Sequence, residues 1–217
     1  MSLMLYKLNA SPPARTAMMV CELFKVPVKM VDVNLSKGEH FSPEYLKRNP
    51  LHTVPTLEDG DLIITDSHAI AMYLADKYGK DDSLYPKDLK SRAIVNQRLF
   101  FDSTVLFSRM RSVTFPVIIE GCKTVTEKQI NDIIEAYGYV ETYLSNTKFI
   151  ATNNLTIADI SAYAVVSSLL FIVPLDGAKF PKTQTWLNEM EKKPFAQKYN
   201  VNGVAELGAL LKEKLGS

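Results

Sequence analysis

Up to about residue 80 the chain alternates between two hydrophobic periods, and beyond about residue 90 only the helical one remains. LMLYKL carries the alternation of a strand, PARTAMMVCELF the three- and four-residue spacing of a helix, VKMVDVN a second strand, and VPTLED and DLIITD two more. A helix then starts at Asp66 and Ser67, carries Ile70, Tyr73, Leu74 and Tyr78 on one stripe, and stops at Gly79, where a left-handed cap is expected. β-α-β followed by β-β-α makes a small α/β unit over 1–80. The polar, proline-bearing KDDSLYPKDLKSR marks a boundary, with a linker at 81–90, and 91–217 reads as all helix.

The expected helices run from Leu89 to about Thr114, Glu127 to Ser145, Ile157 to Val173, Thr183 to Lys192, and Ala205 to Lys214. Ile130, Ile133, Ile134, Tyr137, Val140 and Leu144 form a one-sided stripe. ISAYAVVSSLLFIV is apolar all round and should be the central buried helix of the second unit. In LTIADI, Thr156 stands three residues before Asp159, the spacing of a reciprocal helix cap, so Asp159 is read as structural.

Charge and cysteine usage exclude several functions. With 25 basic and 24 acidic residues, a formal charge of +1 and no dense Lys/Arg block, the chain lacks a nucleic-acid binder's footprint; a small-molecule or protein partner is expected. Cys21 and Cys122 belong to no C-x-x-C pair, and His40, His52 and His68 fit no zinc spacing, so reduced thiols and no metal are expected. No run approaches the roughly 20 apolar residues that span a bilayer, and Met1 to Leu8 is not a leader; a cytosolic protein off the membrane is the expectation.

Three short stretches in the first unit carry candidate chemistry. In LNASPPARTAM, two prolines follow Ser11 where strand becomes helix. Proline is tolerated in a first helical turn and holds the residue before it out of the helical region, so Ser11 stands at a helix mouth. There it can cap its own helix, or help hold an anion beside unpaired amides and the positive helix end. Val54-Pro55 opens a strand where proline is out of place centrally, which points to a cis bond and leaves the Val54 amide and carbonyl to pair with an extended peptide. In DSHAI a second helix start offers Ser67 to a carboxylate and Asp66 to an ammonium.

A thiol at Ser11, a peptide along Val54 and an amino-acid end at Asp66 and Ser67 outline a glutathione site. SPPAR, NPLHTVPTLED, TDSHAIAMYLADKYGKDDSLYP, FDSTVLFSRMR and LTIADIS, spread over the whole chain, resemble the cytosolic glutathione transferases of insects. DSHAI, GKDDSLYP and VLFSRMR tilt the resemblance toward the epsilon class, with delta as the near relative. It implies a thioredoxin-like N-terminal domain, a helical-bundle C-terminal domain, a homodimer, and glutathione as co-substrate joined to apolar electrophiles in detoxification. Ser11 becomes the catalytic residue, donating a hydrogen bond to the thiolate. His40 and His52 fall near the glycine end of glutathione, Thr53, Val54 and Pro55 along its peptide, and Asp66, Ser67 and His68 at its γ-glutamyl end. Tyr6, which sits where other transferase classes use a first-strand tyrosine, is read as packing.

FDSTVLFSRMRSVTFPV puts Phe107, Arg111, Thr114, Phe115 and Ile118 within reach of one helical face. Such a stripe is often core, but a guanidinium among aromatics is hard to bury unpaired, so Arg111 should border a cleft. The resemblance sets this helix opposite the thiol, with Pro13, Met110 and Leu207 as further walls. Pro116 should end or kink it. Peroxidase or dehydrohalogenase chemistry would use the same thiolate, and carriage of apolar ligands is an alternative of another class. A glutaredoxin-type oxidoreductase is disfavoured because Ser11 stands where such an enzyme needs cysteine.

Overall fold

The computed structural model describes residues 3–216. β1 (Leu3–Lys7) pairs in parallel with β2 (Val28–Asp32), a geometry that needs a crossover, and α1 (Pro12–Leu23) supplies it. β1 also pairs antiparallel with β3 (Thr56–Asp59), which pairs antiparallel with β4 (Leu62–Thr65), giving the order β2-β1-β3-β4. The period-2 alternation sorts the side chains: Leu3, Leu5 and Leu57 join Met19 of α1 and Ile70 and Leu74 of α3 (Ser67–Tyr78) in the main core. Tyr6 points to the other face and packs with Val33, Tyr45 and Val54.

Helices follow: α4 (Leu89–Phe101), α5 (Phe107–Ile118), α6 (Glu127–Asn146), α7 (Ile157–Leu169), α8 (Pro181–Glu191), α9 (Pro194–Tyr199) and α10 (Val201–Leu215). All of α7 is buried, as its uniformly apolar sequence requires. α7 packs on α1 and α3 of the first unit and on α4, α5, α8 and α10 of the second. One apolar cluster therefore runs from Leu5 and Leu57 through Ile70 to Val166 and Leu169, making the boundary between the units part of the core.

The structure corrects several expectations. The helix expected over 89–114 is two helices joined by a π turn at Asp102–Leu106, and the second runs on through Pro116 to Ile118 before stopping within a turn. α7 ends at Leu169 rather than Val173, because the amides of Ile172 and Val173 both return to the Leu169 carbonyl. Gly79 is not left-handed (φ −60°); glycine fits there because a Cβ would lie 2.4 Å from the Ala75 carbonyl oxygen and 3.0 Å from that of Asp81. α2 (Pro43–Arg48) and α9 are too short to show a helical period in sequence, and α8 and α10 begin a few residues before their expected starts.

Candidate active site

The double proline has an unexpected consequence. Pro12 and Pro13 open α1, so two of the amides an ordinary helix start leaves unpaired do not exist. The next, Ala14 N–H, donates to Ser11 Oγ at 3.4 Å, and Arg15 N–H donates to the Ser11 carbonyl at 2.9 Å. The expected row of free amides is thus absent from this mouth. What remains is the half-buried Ser11 hydroxyl at the positive end of α1, its hydrogen without an acceptor among the described residues.

The Val54-Pro55 bond is cis, and neither the amide nor the carbonyl of Val54 is hydrogen-bonded among the described residues. Thr53 behaves differently. Its carbonyl accepts from Tyr45 Oη at 2.7 Å and Asn49 Nδ2 at 2.9 Å, so it holds the turn in place and has less to offer a ligand. Asp66 caps α3: its Oδ1 accepts from the amides of His68 at 2.8 Å and Ala69 at 3.2 Å, while Oδ2 has no partner among the described residues. Ser67 is buried as the first residue of the helix. His52 (φ +47°) and Asp66 (φ +72°) both occupy backbone conformations unfavourable for residues with a Cβ, strain of the kind that gathers at ligand clamps. His40 lies 6.1 Å from His52, centroid to centroid, with Phe41 against both rings. Burial first, and the neighbouring His52 second, lower the pKa of His40, whose Nδ1 is buried without a partner among the described residues.

Comparison with known proteins identifies the architecture. The model for the glutathione S-transferase N-terminal domain matches residues 5–82, and that for the C-terminal domain matches 95–194. Glutathione S-transferase 1 of Manduca sexta is 46% identical over 94% of each chain. The chain belongs to the glutathione S-transferase family. An epsilon-class glutathione S-transferase from housefly, Musca domestica, superposes with a TM-score of 0.96 at 44% identity, covering 98% of each chain. A Drosophila mojavensis glutathione transferase homologue, solved with bound glutathione, gives a TM-score of 0.95 at 44% identity over 98% of this chain and 97% of that one. Delta-class insect transferases also match, at lower identity. The protein is thus a glutathione transferase of thioredoxin-like plus helical architecture, with epsilon-class neighbours as its sequence motifs indicated.

In this transferase both ring nitrogens of His68 are engaged by carboxylates of the protein: Nδ1 lies 3.1 Å from Asp66 Oδ1 and Nε2 lies 2.9 Å from Asp102 Oδ2. Asp102 stands on the π turn, buried, and also accepts from the Ser161 hydroxyl of α7. Burial alone would lower the His68 pKa; hydrogen bonds with Asp102 and Asp66 outweigh it and raise the value to about 9, so the ring is an imidazolium at neutral pH. Asp102 and Ser161 were invisible in the sequence, where nothing marks a partner 34 residues away.

A base that binds its proton more tightly folded than unfolded adds stability that is complete below its unfolded pKa, about 6.5, and is lost as pH rises through about 9. At about 1.36 kcal/mol per unit, discounted because solvent reaches Asp66, this amounts to roughly 2 kcal/mol. His68→Gln should therefore remove about that much of the fall in unfolding free energy between pH 6 and pH 10, measured in urea. An unchanged pH dependence would contradict the assignment.

Along α5 the expected pocket residues divide. Met110 (3% exposed) and Thr114 (9%), together with Leu207 of α10 (6%), are closed into the interior, whereas Phe107, Arg111 and Phe115 follow one another at four-residue steps on the outer side. The Arg111 guanidinium lies over the Phe115 ring at 4.4 Å and is exposed, avoiding the cost of burial without a partner. Tyr6 donates to Glu58 Oε2 at 3.1 Å beneath Arg48, which suits packing rather than catalysis. Two cavities of about 370 and 340 Å³, one among α7, α8 and α10 and one beside β1, β2 and α10, contain none of the expected site residues. Among the described residues no helix is long and apolar enough to cross a membrane, and no group of three or more His, Cys, Asp or Glu could hold a metal.

Proposed function

We propose that this transferase joins the thiol of glutathione to apolar electrophiles in detoxification, with Ser11 donating its hydroxyl hydrogen to the sulfur. The observation that carries the reading is the Ser11 hydroxyl itself, which lacks an acceptor among the described residues at the positive end of a helix whose first two amides are missing. A free thiol with pKa about 8.5 is mostly protonated at neutral pH, and lowering that value by about two units makes thiolate the main form. The shift requires roughly 2.7 kcal/mol, at about 1.36 per unit. One charge-assisted hydrogen bond and the helix dipole are enough to supply it.

The unpaired Val54 amide and carbonyl would align the cysteinyl residue, His40 and His52 would receive the glycine carboxylate, and Asp66 Oδ2 and Ser67 would take the ammonium and carboxylate of the γ-glutamyl end. Phe107, Arg111 and Phe115 would meet the acceptor, with Pro13 at the mouth and Met110, Thr114 and Leu207 behind. Proximity to a preformed thiolate then provides most of the acceleration. Exposed Leu62 and Ile63 on edge strand β4 and Ile94 and Phe100 on α4 support a homodimer.

The test is conjugation of glutathione to a general aryl halide, combined with ultraviolet titration of the bound thiol. The expected result is steady turnover with thiolate present near pH 7. Turnover that is absent, together with a bound thiol that ionises as it does free in buffer, overturns the proposal and leaves carriage of an apolar ligand as the better reading.

A further inference from the structure

Arg15 is fully buried, yet no carboxylate hydrogen-bonds to it among the described residues. All five guanidinium N–H groups are nevertheless used. Nε donates to Asn200 Oδ1 at 2.8 Å, and Nη1 to the carbonyls of Asn9 at 3.1 Å and Ala10 at 2.9 Å. Nη2 donates to the Ala164 carbonyl at 3.1 Å and to the Ser168 hydroxyl, both on α7. Burial lowers its pKa to about 9, which still leaves it charged at neutral pH.

A buried ion compensated only by dipoles is costly, and if filling space were its sole purpose an apolar side chain would serve at less expense. Its position explains the charge. Asn9 and Ala10 are the two residues that precede Ser11, and their carbonyls are fastened by Arg15 to the second domain. The same turn is held elsewhere: Ser11 N–H donates to the Leu8 carbonyl at 3.0 Å, and Lys7 Nζ to Asn9 Oδ1 at 2.7 Å. α10 presses on it through Gly203, where a Cβ would lie 2.3 Å from the Asn9 carbonyl oxygen and 2.5 Å from Arg15 Cδ.

We infer that Arg15 is the positioning residue of the thiolate centre: it fixes the turn that presents the Ser11 hydroxyl and adds its charge to the positive end of α1. This rests on the role of Ser11 proposed above. Arg15 touches no substrate and acts through Ser11, so α7 of the second domain sets the geometry of a group on the first.

The experiment compares the full-length protein with Arg15→Lys, which keeps the charge but cannot reach all five acceptors, and Ser168→Ala, which removes one acceptor and adds no atom. The thiol of bound glutathione is titrated through its thiolate absorbance, and kcat and KM are measured with an aryl halide. In Arg15→Lys the thiol midpoint should rise by about one pH unit and kcat should fall about tenfold at neutral pH, with KM for glutathione changed less than about threefold. Ser168→Ala should raise the midpoint by about 0.3 pH unit and lower kcat about twofold. Variants that melt earlier but leave the thiol midpoint in place make Arg15 purely structural and overturn the inference. If Arg15→Lys does not fold, Ser168→Ala decides. An unshifted midpoint in the unmodified protein is a different failure, because it removes the role of Ser11 and the inference with it.

Discussion

Ser11→Ala should lower conjugation about 20-fold at pH 7 while leaving the protein folded. Losing the hydroxyl removes most of the roughly 2.7 kcal/mol of preference for the thiolate, the helix end keeping the rest, and returns the sulfur toward its pKa of about 8.5, where only a few per cent is ionised at neutral pH. Stability should change less, by about 1 kcal/mol or below, because the cap that Ser11 provides is one long bond of 3.4 Å to Ala14. The pH profile separates this from general damage: the variant's rate should climb through about pH 8.5 as glutathione ionises unaided, whereas the unmodified protein should already be near its plateau. Tyr6→Phe provides the contrast. Its hydroxyl is committed to Glu58, so turnover should stay within about threefold of the starting value. A Ser11→Ala protein with the full rate and an unshifted profile would remove serine from the chemistry.

The parts of this architecture legible in the sequence are those written within a few residues. The strands and α3 announce themselves by period, α7 by its unbroken apolarity, and the Asp66 and Thr156 caps by a polar residue ahead of an apolar run. The cis peptide at Val54-Pro55 was legible because proline is out of place in a central strand. The illegible parts depend on distant partners. SPPAR displays Arg15 next to the proposed catalytic serine, but its acceptors Ala164, Ser168 and Asn200 are 149, 153 and 185 residues away, and only the packing of α1 on α7 brings them together. His68 stands at the start of α3, where DSHAI sets it, but the sequence does not show which way its ring points. Its direction depends on Asp102, which lies on a π turn that no sequence period signals. The stripe on α5 was visible, but its division into buried Met110 and Thr114 and outward Phe107, Arg111 and Phe115 depends on how α10 lies across it.

Asp159→Ala should destabilise the fold by at least about 3 kcal/mol, a large share of the roughly 5–15 kcal/mol that holds a domain together. The carboxylate is completely buried and accepts four bonds. Oδ1 takes the Ile150 amide at 2.8 Å and the Trp186 indole at 3.2 Å, and Oδ2 takes the Thr156 amide at 2.9 Å and its hydroxyl at 3.0 Å. One side chain therefore joins the start of α7, the loop before it and α8. Burial pushes its pKa up to about 6, against the pull of the four donors. Alanine leaves those donors buried without an acceptor, at about 1–3 kcal/mol each, less whatever the Thr156 hydroxyl recovers by rotating. Asp159→Asn keeps one oxygen and the shape but turns an NH2 group toward donors, so it should fall between alanine and the unmodified chain. Urea unfolding of the three proteins checks the order, and equal midpoints would refute it. The consequence reaches the other domain, because the helix capped by Asp159 carries the Ala164 carbonyl and Ser168 hydroxyl that hold Arg15. Partial loosening of α7 in Asp159→Asn should raise the midpoint of the bound thiol before the protein melts, since the turn bearing Ser11 is only as fixed as the helix it is tied to.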